Sequence, residues 1–318
     1  MTTDVRRGSQ IDSFQMSEFF WPVVVATVGI TTIVSSTSLP DWVAATTIVA
    51  VIAVLGIPHG SVDHLVVEAI DARHDLRSRR RFMVAYVLAM AVVGLVWLVV
   101  PPLALVGFLA LSVHHFGQSD LAYLHLTGLS HLAVQWSRGL FLVGLPLVAH
   151  IPAIAPVVER LGGGDLVNWP WLADLWWFWV AVLVIQHVVV GVSIASRIRN
   201  RAVIGREMVT VAALTLLFLT ADPLIGFAVY FGLWHSLAHL RVLSDLLGSE
   251  MRPMRSLARL AAPLTALSLA ALAAAGIGAA LAGRLDLFVP ATFVLVSMLT
   301  LPHMIVVERL WRRCPSPE

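Results

Sequence analysis

The chain contains no lysine: all 21 of its basic residues are arginine. We read this as coding bias rather than chemistry. It has a single cysteine, Cys314, near its end, which excludes an internal disulfide and a cysteine-based metal cluster. Charge is scarce. Only 13% of the 318 residues are charged, against about 25% in soluble domains, and the formal net charge is +2 despite a calculated pI of 9.2. The apolar runs are long and lack strict strand alternation. With 58% hydrophobic residues and a mean hydropathy of +0.86, this composition excludes an ordinary soluble domain. It predicts an all-α, polytopic integral membrane helix bundle. No small-residue cleavage site follows the first apolar run, so that run is expected to be a retained helix and not a signal peptide. No second domain or low-complexity tail is discernible. The expectation is one membrane domain, with a polar tail at 1–16 and a helix bundle at 18–310.

What is present are about ten candidate spans: 18–38, 42–60, 82–100, 102–117, 132–150, 173–195, 207–221, 223–243, 257–282 and 287–310. Pro58 and Pro302 fall inside spans, where proline kinks a helix and frees a carbonyl. Arginine placement orients the bundle, because basic residues favour cytoplasmic loops. With the amino terminus inside, every arginine except Arg160 and Arg284 falls on the inner side. Both termini are therefore expected in the cytoplasm of a multi-pass plasma-membrane protein. Trp169, Trp171, Trp176, Trp177 and Trp179 cluster at the outer start of the sixth span, as an aromatic belt does at a headgroup interface. The arginines of loops 71–81 and 244–256 answer to topology and anionic headgroups rather than to a specific ligand. The small residues of the ninth span, with Gly276 and Gly278, suit close helix packing.

The informative polar residues are histidines. His235 and His239 in the stretch FGLWHSLAHL are spaced i, i+4, which stacks two imidazoles on one helical face. Polar side chains facing one way inside a membrane helix are costly and point to a functional site. Three further stretches accompany them: GIPHGSVDH with His59, SVHHFGQSD with His114 and His115, and LPHMIVVE with His303. Under the predicted topology the second, fourth, eighth and tenth spans run from outside to inside. Their histidines then share one depth, although histidine played no part in setting the topology. A single buried histidine is more often a hydrogen-bonded core residue, but five at one depth favour a metal site. A polar packing network, or a proton or metal-ion path, is the competing reading. A transporter, however, should spread its histidines and acids through the membrane. His64, His74, His125 and His131 fall at or beyond helix ends, His150 lies at an outer end, and His187 suits a wall or supporting position.

The ligand set would be imidazole alone. Asp63, Asp120 and Glu308 follow His59, His115 and His303 at offsets that suit carboxylates orienting an imidazole or anchoring a helix end. Spacing does not choose between zinc, with three or four ligands, and Fe(II) with positions left for dioxygen.

The set GIPHG, HHFGQSD, WHSLAH and LPHMIVVE, in this order on a short polytopic chain, resembles the Brp/Blh family of β-carotene 15,15′-dioxygenases from about Gly56 to Arg309. The resemblance implies an iron-dependent membrane enzyme. Such an enzyme splits β-carotene with dioxygen at its central double bond and releases two all-trans-retinal, which can supply a retinal-binding rhodopsin. Carried over, the Fe(II) ligands are His59, His115, His235 and His239. The adjacent His114 is a departure that leaves the ligand on that helix between two neighbours. The resemblance favours His115, and adjacent helical residues point about 100° apart. His303 has no ligand role to carry over and is placed beside the site. Phe116, Phe231 and Trp234 are candidates for a tunnel wall. The expected partners are β-carotene, dioxygen and the bilayer, with no nucleic acid. A zinc or di-metal enzyme acting on another lipid remains the enzymatic alternative.

Overall fold

The computed structural model describes residues 18–71, 75–121, 128–195, 198, 200–248 and 254–313. The polar tail, His74, His125 and Cys314 lie outside the described residues. Every regular element among those described is helical. The chain begins with α1 (Phe20–Ser35) and α2 (Asp41–Val51), passes a π-helical turn at Ile52–Gly56, and continues through α3 (Ile57–Gly60) and α4 (Asp63–Asp71). Next come α5 (Leu76–Val99), α6 (Pro101–Asp120) and α7 (Gly128–Gly139). A second π turn, Leu140–Gly144, leads to α8 (Leu145–Ala149). Three shorter helices follow, α9 (Ile151–Arg160), α10 (Gly164–Val167) and α11 (Pro170–Ala173), ahead of α12 (Trp176–Ala195) and α13 (Arg201–Thr220). α14 (Pro223–Val229) runs into a third π turn, Tyr230–Ser236, and on to α15 (Leu237–Gly248). α16 (Met254–Leu281) and α17 (Phe288–Arg313) close the fold.

Local chemistry sets these boundaries. The Asp75 carboxylate accepts the Ser78 backbone N–H at 2.8 Å and starts α5. Asp222 accepts from Leu224 at 2.9 Å, with Pro223 in the first helical position of α14. Two of the π turns end just before a proline. Ile52–Gly56 precedes Pro58 and Leu140–Gly144 precedes Pro146. Proline cannot donate to the carbonyl four residues back, and the wider turn takes up that break while the helix continues.

Among the described residues, seven helical stretches are long and apolar enough to cross a membrane: Asp41–Asp71, Leu76–Val99, Ser130–Ala149, Trp176–Ala195, Arg201–Thr220, Arg259–Leu281 and Leu285–Arg312. That is fewer than the expected ten. Phe20–Ser35 is apolar but shorter. α6 and the run from α14 to α15 are helical but carry the clustered polar residues around His115 and His235, which lowers their apolar content. The surface fits a lipid solvent. Val84, Leu88, Val92, Leu95 and Leu98 on α5 and Ile185, Val188, Val189 and Val192 on α12 are all exposed, far more contiguous apolar surface than a water-soluble monomer presents. Trp169, Trp171, Trp176 and Trp177 are also exposed. Arg160 and Arg284, the two arginines expected outside, both pair with Asp286, at 2.9 Å and 3.0 Å, and so share one end of the bundle.

The main core joins α1, α2, α6, α8, α13 and α14 through residues such as Phe20, Ile48, Phe116, Leu145, Phe218 and Ile225. Two crossings bring the site helices unusually close. A Cβ on Gly56 would stand 2.5 Å from Phe231 Cε1, and one on Gly232 would stand 2.9 Å from Val51 Cγ1. The two π turns carrying these glycines pack against each other. At the crossing of α6 and α7, a Cβ on Gly117 would overlap the Gln135 carbonyl oxygen, and one on Gly139 would overlap that of Val113. Larger residues at any of these positions would push apart the helices that carry the histidines.

Candidate metal centre

Five imidazoles from four parts of the chain meet in the interior. His59 comes from α3, His115 from α6, His235 and His239 from the third π turn and α15, and His303 from α17. All five are at most 5% exposed. Ring centroids of His115 and His235 are 4.9 Å apart, and those of His59 and His235 are 5.4 Å apart. His59 lies 5.5 Å from His239 and 5.0 Å from His303. His303 also lies 5.1 Å from His115 and 5.2 Å from His239. His235 and His239 are nearly parallel at 6.4 Å, with Phe231 stacked on His235 one turn earlier at 5.6 Å. The i, i+4 reading of one shared face therefore holds in space.

The neighbour pair divides as helical geometry requires. His115 is buried and turned toward His235 and His303. His114 is partly exposed and lies against Trp136 of α7 at 6.0 Å.

Hydrogen bonding is incomplete where it should be costly. Both ring nitrogens of His115, and Nε2 of His235 and of His303, are buried without a hydrogen-bond partner. Each such group costs about 1–3 kcal/mol when left unmade. His59 donates Nδ1–H to the Leu55 carbonyl at 3.3 Å, which leaves Nε2 as its lone-pair nitrogen. Buried imidazole lone pairs from several helices form a donor set that a divalent cation satisfies. Two imidazoles sharing one ion at about 2.1 Å and bound side by side would place their ring centroids roughly 4.5–5.5 Å apart, the range of the pairs above except His235–His239 at 6.4 Å. Among the described residues, no three His, Cys, Asp or Glu side chains are set to hold an ion as they stand.

The three carboxylates have different partners. Asp63 accepts Nδ1–H of His303 at 2.8 Å and the Tyr86 hydroxyl at 3.0 Å, so it orients His303 and not His59, the histidine it follows in sequence. Asp120 accepts from Arg138 Nε at 2.5 Å instead of supporting His115. Glu308 accepts from Gln118 and, at 2.6 Å, from Arg312. These two tie helix ends together, because the helical turn carries each of them to a neighbouring helix.

Several residues take roles that their sequence positions did not announce. Arg138, expected among the cytoplasmic arginines, is fully buried and bridges Asp120 and Glu207, the latter at 3.3 Å. It also donates to His187 Nε2 at 3.2 Å, so His187 donates Nδ1–H to Ser137 Oγ at 3.0 Å while stacking on Phe141. His64 is only 2% exposed, with neither ring nitrogen partnered, rather than interfacial. Tyr86 was missed altogether. The available signal was scarcity, since the chain holds three tyrosines and this one sits in the otherwise apolar run 82–99 of α5.

Beside the imidazoles lies a cavity of about 330 Å³. His59, His64, His115, His235 and His303 form part of its wall. Most of the rest is apolar, including Met90, Phe108, Phe116, Phe227, Phe231 and Leu267. Trp234 is not part of the wall; it donates to Thr27 Oγ1 of α1 at 2.9 Å. Val87 of α5 and Leu267 of α16 line the cavity while being 57% and 68% exposed, so the cavity reaches the apolar outer surface between those helices.

Comparison with known proteins adds the following. Residues 50–311 match the family model described as beta-carotene 15,15′-dioxygenase. The chain is 28% identical over 301 residues to the probable beta-carotene 15,15′-dioxygenase Blh of Halobacterium salinarum, covering 82% of each chain. It is 24% identical over 284 residues to the beta-carotene 15,15′-dioxygenase of the uncultured marine bacterium 66A03, covering 86% of this chain and 95% of that protein. No solved structure matches the chain.

Proposed function

The chain belongs to the β-carotene 15,15′-dioxygenase family, an oxygenase family, and we propose that it cleaves β-carotene with dioxygen at the central 15,15′ double bond at an Fe(II) ion held by His59, His115, His235 and His239. The products are two molecules of all-trans-retinal, each half of the symmetric substrate taking one oxygen atom. The observation that carries this reading is the cavity, whose largely apolar wall includes His59, His115 and His235 of the four assigned ligands, with His64 and His303 beside them.

Each part of that wall suits such a substrate. β-Carotene is a hydrocarbon about as long as the roughly 30 Å hydrocarbon core of a bilayer. It partitions into lipid and offers no group for hydrogen bonding. Phe116, Phe227 and Phe231 supply apolar area beside the imidazoles and exclude water from the reacting bond. With nothing polar to recognise, the position of cleavage rests on the shape of the cavity. The exposed lining residues Val87 and Leu267 support delivery sideways from lipid instead of from water. An Fe(II) ion held by His59, His115, His235 and His239 would supply the redox capacity that dioxygen chemistry needs. The unpartnered nitrogens of His115 and His235 support its placement here. The proposed setting is the plasma membrane, and the product would serve a retinal-binding rhodopsin.

The test is expression in a cell that makes β-carotene. The pigment should bleach, all-trans-retinal should be the only aldehyde to accumulate, and the purified protein should carry about one iron per chain. A matched pair of longer and shorter apocarotenals would overturn the central position. Iron-loaded protein that consumes no β-carotene in the presence of dioxygen would overturn the substrate.

A further inference from the structure

The family resemblance carries no role for His303, yet its ring lies 5.0 Å from His59, 5.1 Å from His115 and 5.2 Å from His239, centroid to centroid. It therefore neighbours three of the four imidazoles assigned to the ion, and it links His115 to the His59–His239 side of the group. Its two nitrogens are used differently. Nδ1 donates to the Asp63 carboxylate at 2.8 Å, and Asp63 also accepts the Tyr86 hydroxyl at 3.0 Å. Nε2 is left as a lone pair, buried and without a partner. His303 and Asp63 are 5% and 2% exposed.

We propose that His303 is a further metal ligand, binding through Nε2 and held in place by an Asp63–Tyr86 brace that spans α4, α5 and α17. The inference rests on the reading of this site as a metal centre and deepens it. A carboxylate on the far nitrogen fixes the tautomer, raises the basicity of the ligating nitrogen and locks the ring against rotation. The brace explains three features together: a carboxylate buried among apolar helices, a tyrosine hydroxyl pointing inward from the lipid-facing α5, and a histidine ring fixed with its second nitrogen unsatisfied. A mere packing role for His303 would account for the Asp63 bond but would leave Nε2 buried and idle at a cost of about 1–3 kcal/mol. Tyr86 and Asp63 are positioning residues in this arrangement, acting through His303.

The experiment uses the full-length protein in detergent, loaded with Fe(II) alone. Iron retention against a competing chelator and iron X-ray absorption are compared for the wild type, His303→Gly, Asp63→Asn and Tyr86→Phe. The wild-type spectrum should require a fifth imidazole, and His303→Gly should lose one imidazole shell. That variant should also lose iron affinity at least tenfold, and added imidazole should restore it. Asp63→Asn should keep the imidazole count but weaken iron binding about 10–100-fold. Tyr86→Phe should weaken it less. Unchanged affinity and an unchanged imidazole count in a folded His303→Gly protein would overturn the proposal. So would loss of iron in that variant that imidazole does not restore, because a structural role predicts it. A wild-type protein that binds no metal would instead overturn the functional reading on which the proposal rests.

Discussion

Gly56 and Phe231 pack so tightly that a Cβ on the glycine would stand 2.5 Å from the ring carbon Cε1. Phe231 stacks on His235, and Gly56 lies three residues before His59. This contact therefore sets how near the α3 histidine comes to the i, i+4 pair. Gly56→Ala should displace Phe231, destabilise the protein by about 1–3 kcal/mol and lower its iron content. Thermal unfolding in detergent and metal analysis check both effects. An alanine variant with the wild-type melting temperature and full iron would show that the ring yields freely.

The adjacent histidines of α6 should behave differently. His115→Ala removes a buried imidazole that contacts His235 and His303, whereas His114→Ala removes one packed on Trp136. The first should nearly abolish retinal formation and deplete iron. The second should leave iron in place and reduce activity only modestly. The reverse order, at equal expression, would mean that the register of α6 toward the site is wrong.

Substrate access should depend on the outer wall of the cavity. Val87→Trp and Leu267→Trp, both at exposed lining positions, should narrow the opening between α5 and α16. We expect kcat/KM for β-carotene to fall roughly tenfold or more, with iron content unchanged. Unaltered kinetics in both variants would move the substrate route elsewhere.

Arg138 should be critical for stability without touching the imidazole group. Arg138→Ala leaves the largely buried Asp120 and Glu207 carboxylates without the cation between them, a loss of about 3–5 kcal/mol. Replacing all three with apolar residues of similar size should recover most of it. If the single variant unfolds at the wild-type temperature, the buried ion group is not stabilising the bundle.

Topology is open to a direct measurement. Reporters placed after Arg313 and between α4 and α5 should read cytoplasm, and one at Gly163 should read exterior. Arg160 and Arg284 already share Asp286 at one end of the bundle. A cytoplasmic signal at Gly163 would sink the proposed orientation and with it the scheme of about ten spans.

The sequence alone determined the helical membrane class, because long apolar runs without alternation admit little else. It also singled out the histidines whose rings meet in the fold. Spacing put His235 and His239 on one face, and a charge-based topology put His59, His115 and His303 at the same depth. Both are one-dimensional properties, a period along a helix and a position along the bilayer normal. What lies in the plane of the membrane is not legible that way. The offsets of Asp63, Asp120 and Glu308 suggested that each supports the histidine before it, but only helix packing decides which neighbouring helix a carboxylate faces. Asp63 reaches across to His303, Asp120 to Arg138, and Glu308 to Gln118 and Arg312. Tertiary structure likewise turned Arg138 from an expected inner-side charge into a buried one, gave Tyr86 its place behind Asp63, and made Gly56 and Gly117 points of close helix contact. The physical reason is common to all of these. A helix fixes the angle between its own side chains, while the partner across a crossing depends on how closely two backbones approach, and that is set by small residues scattered along the chain.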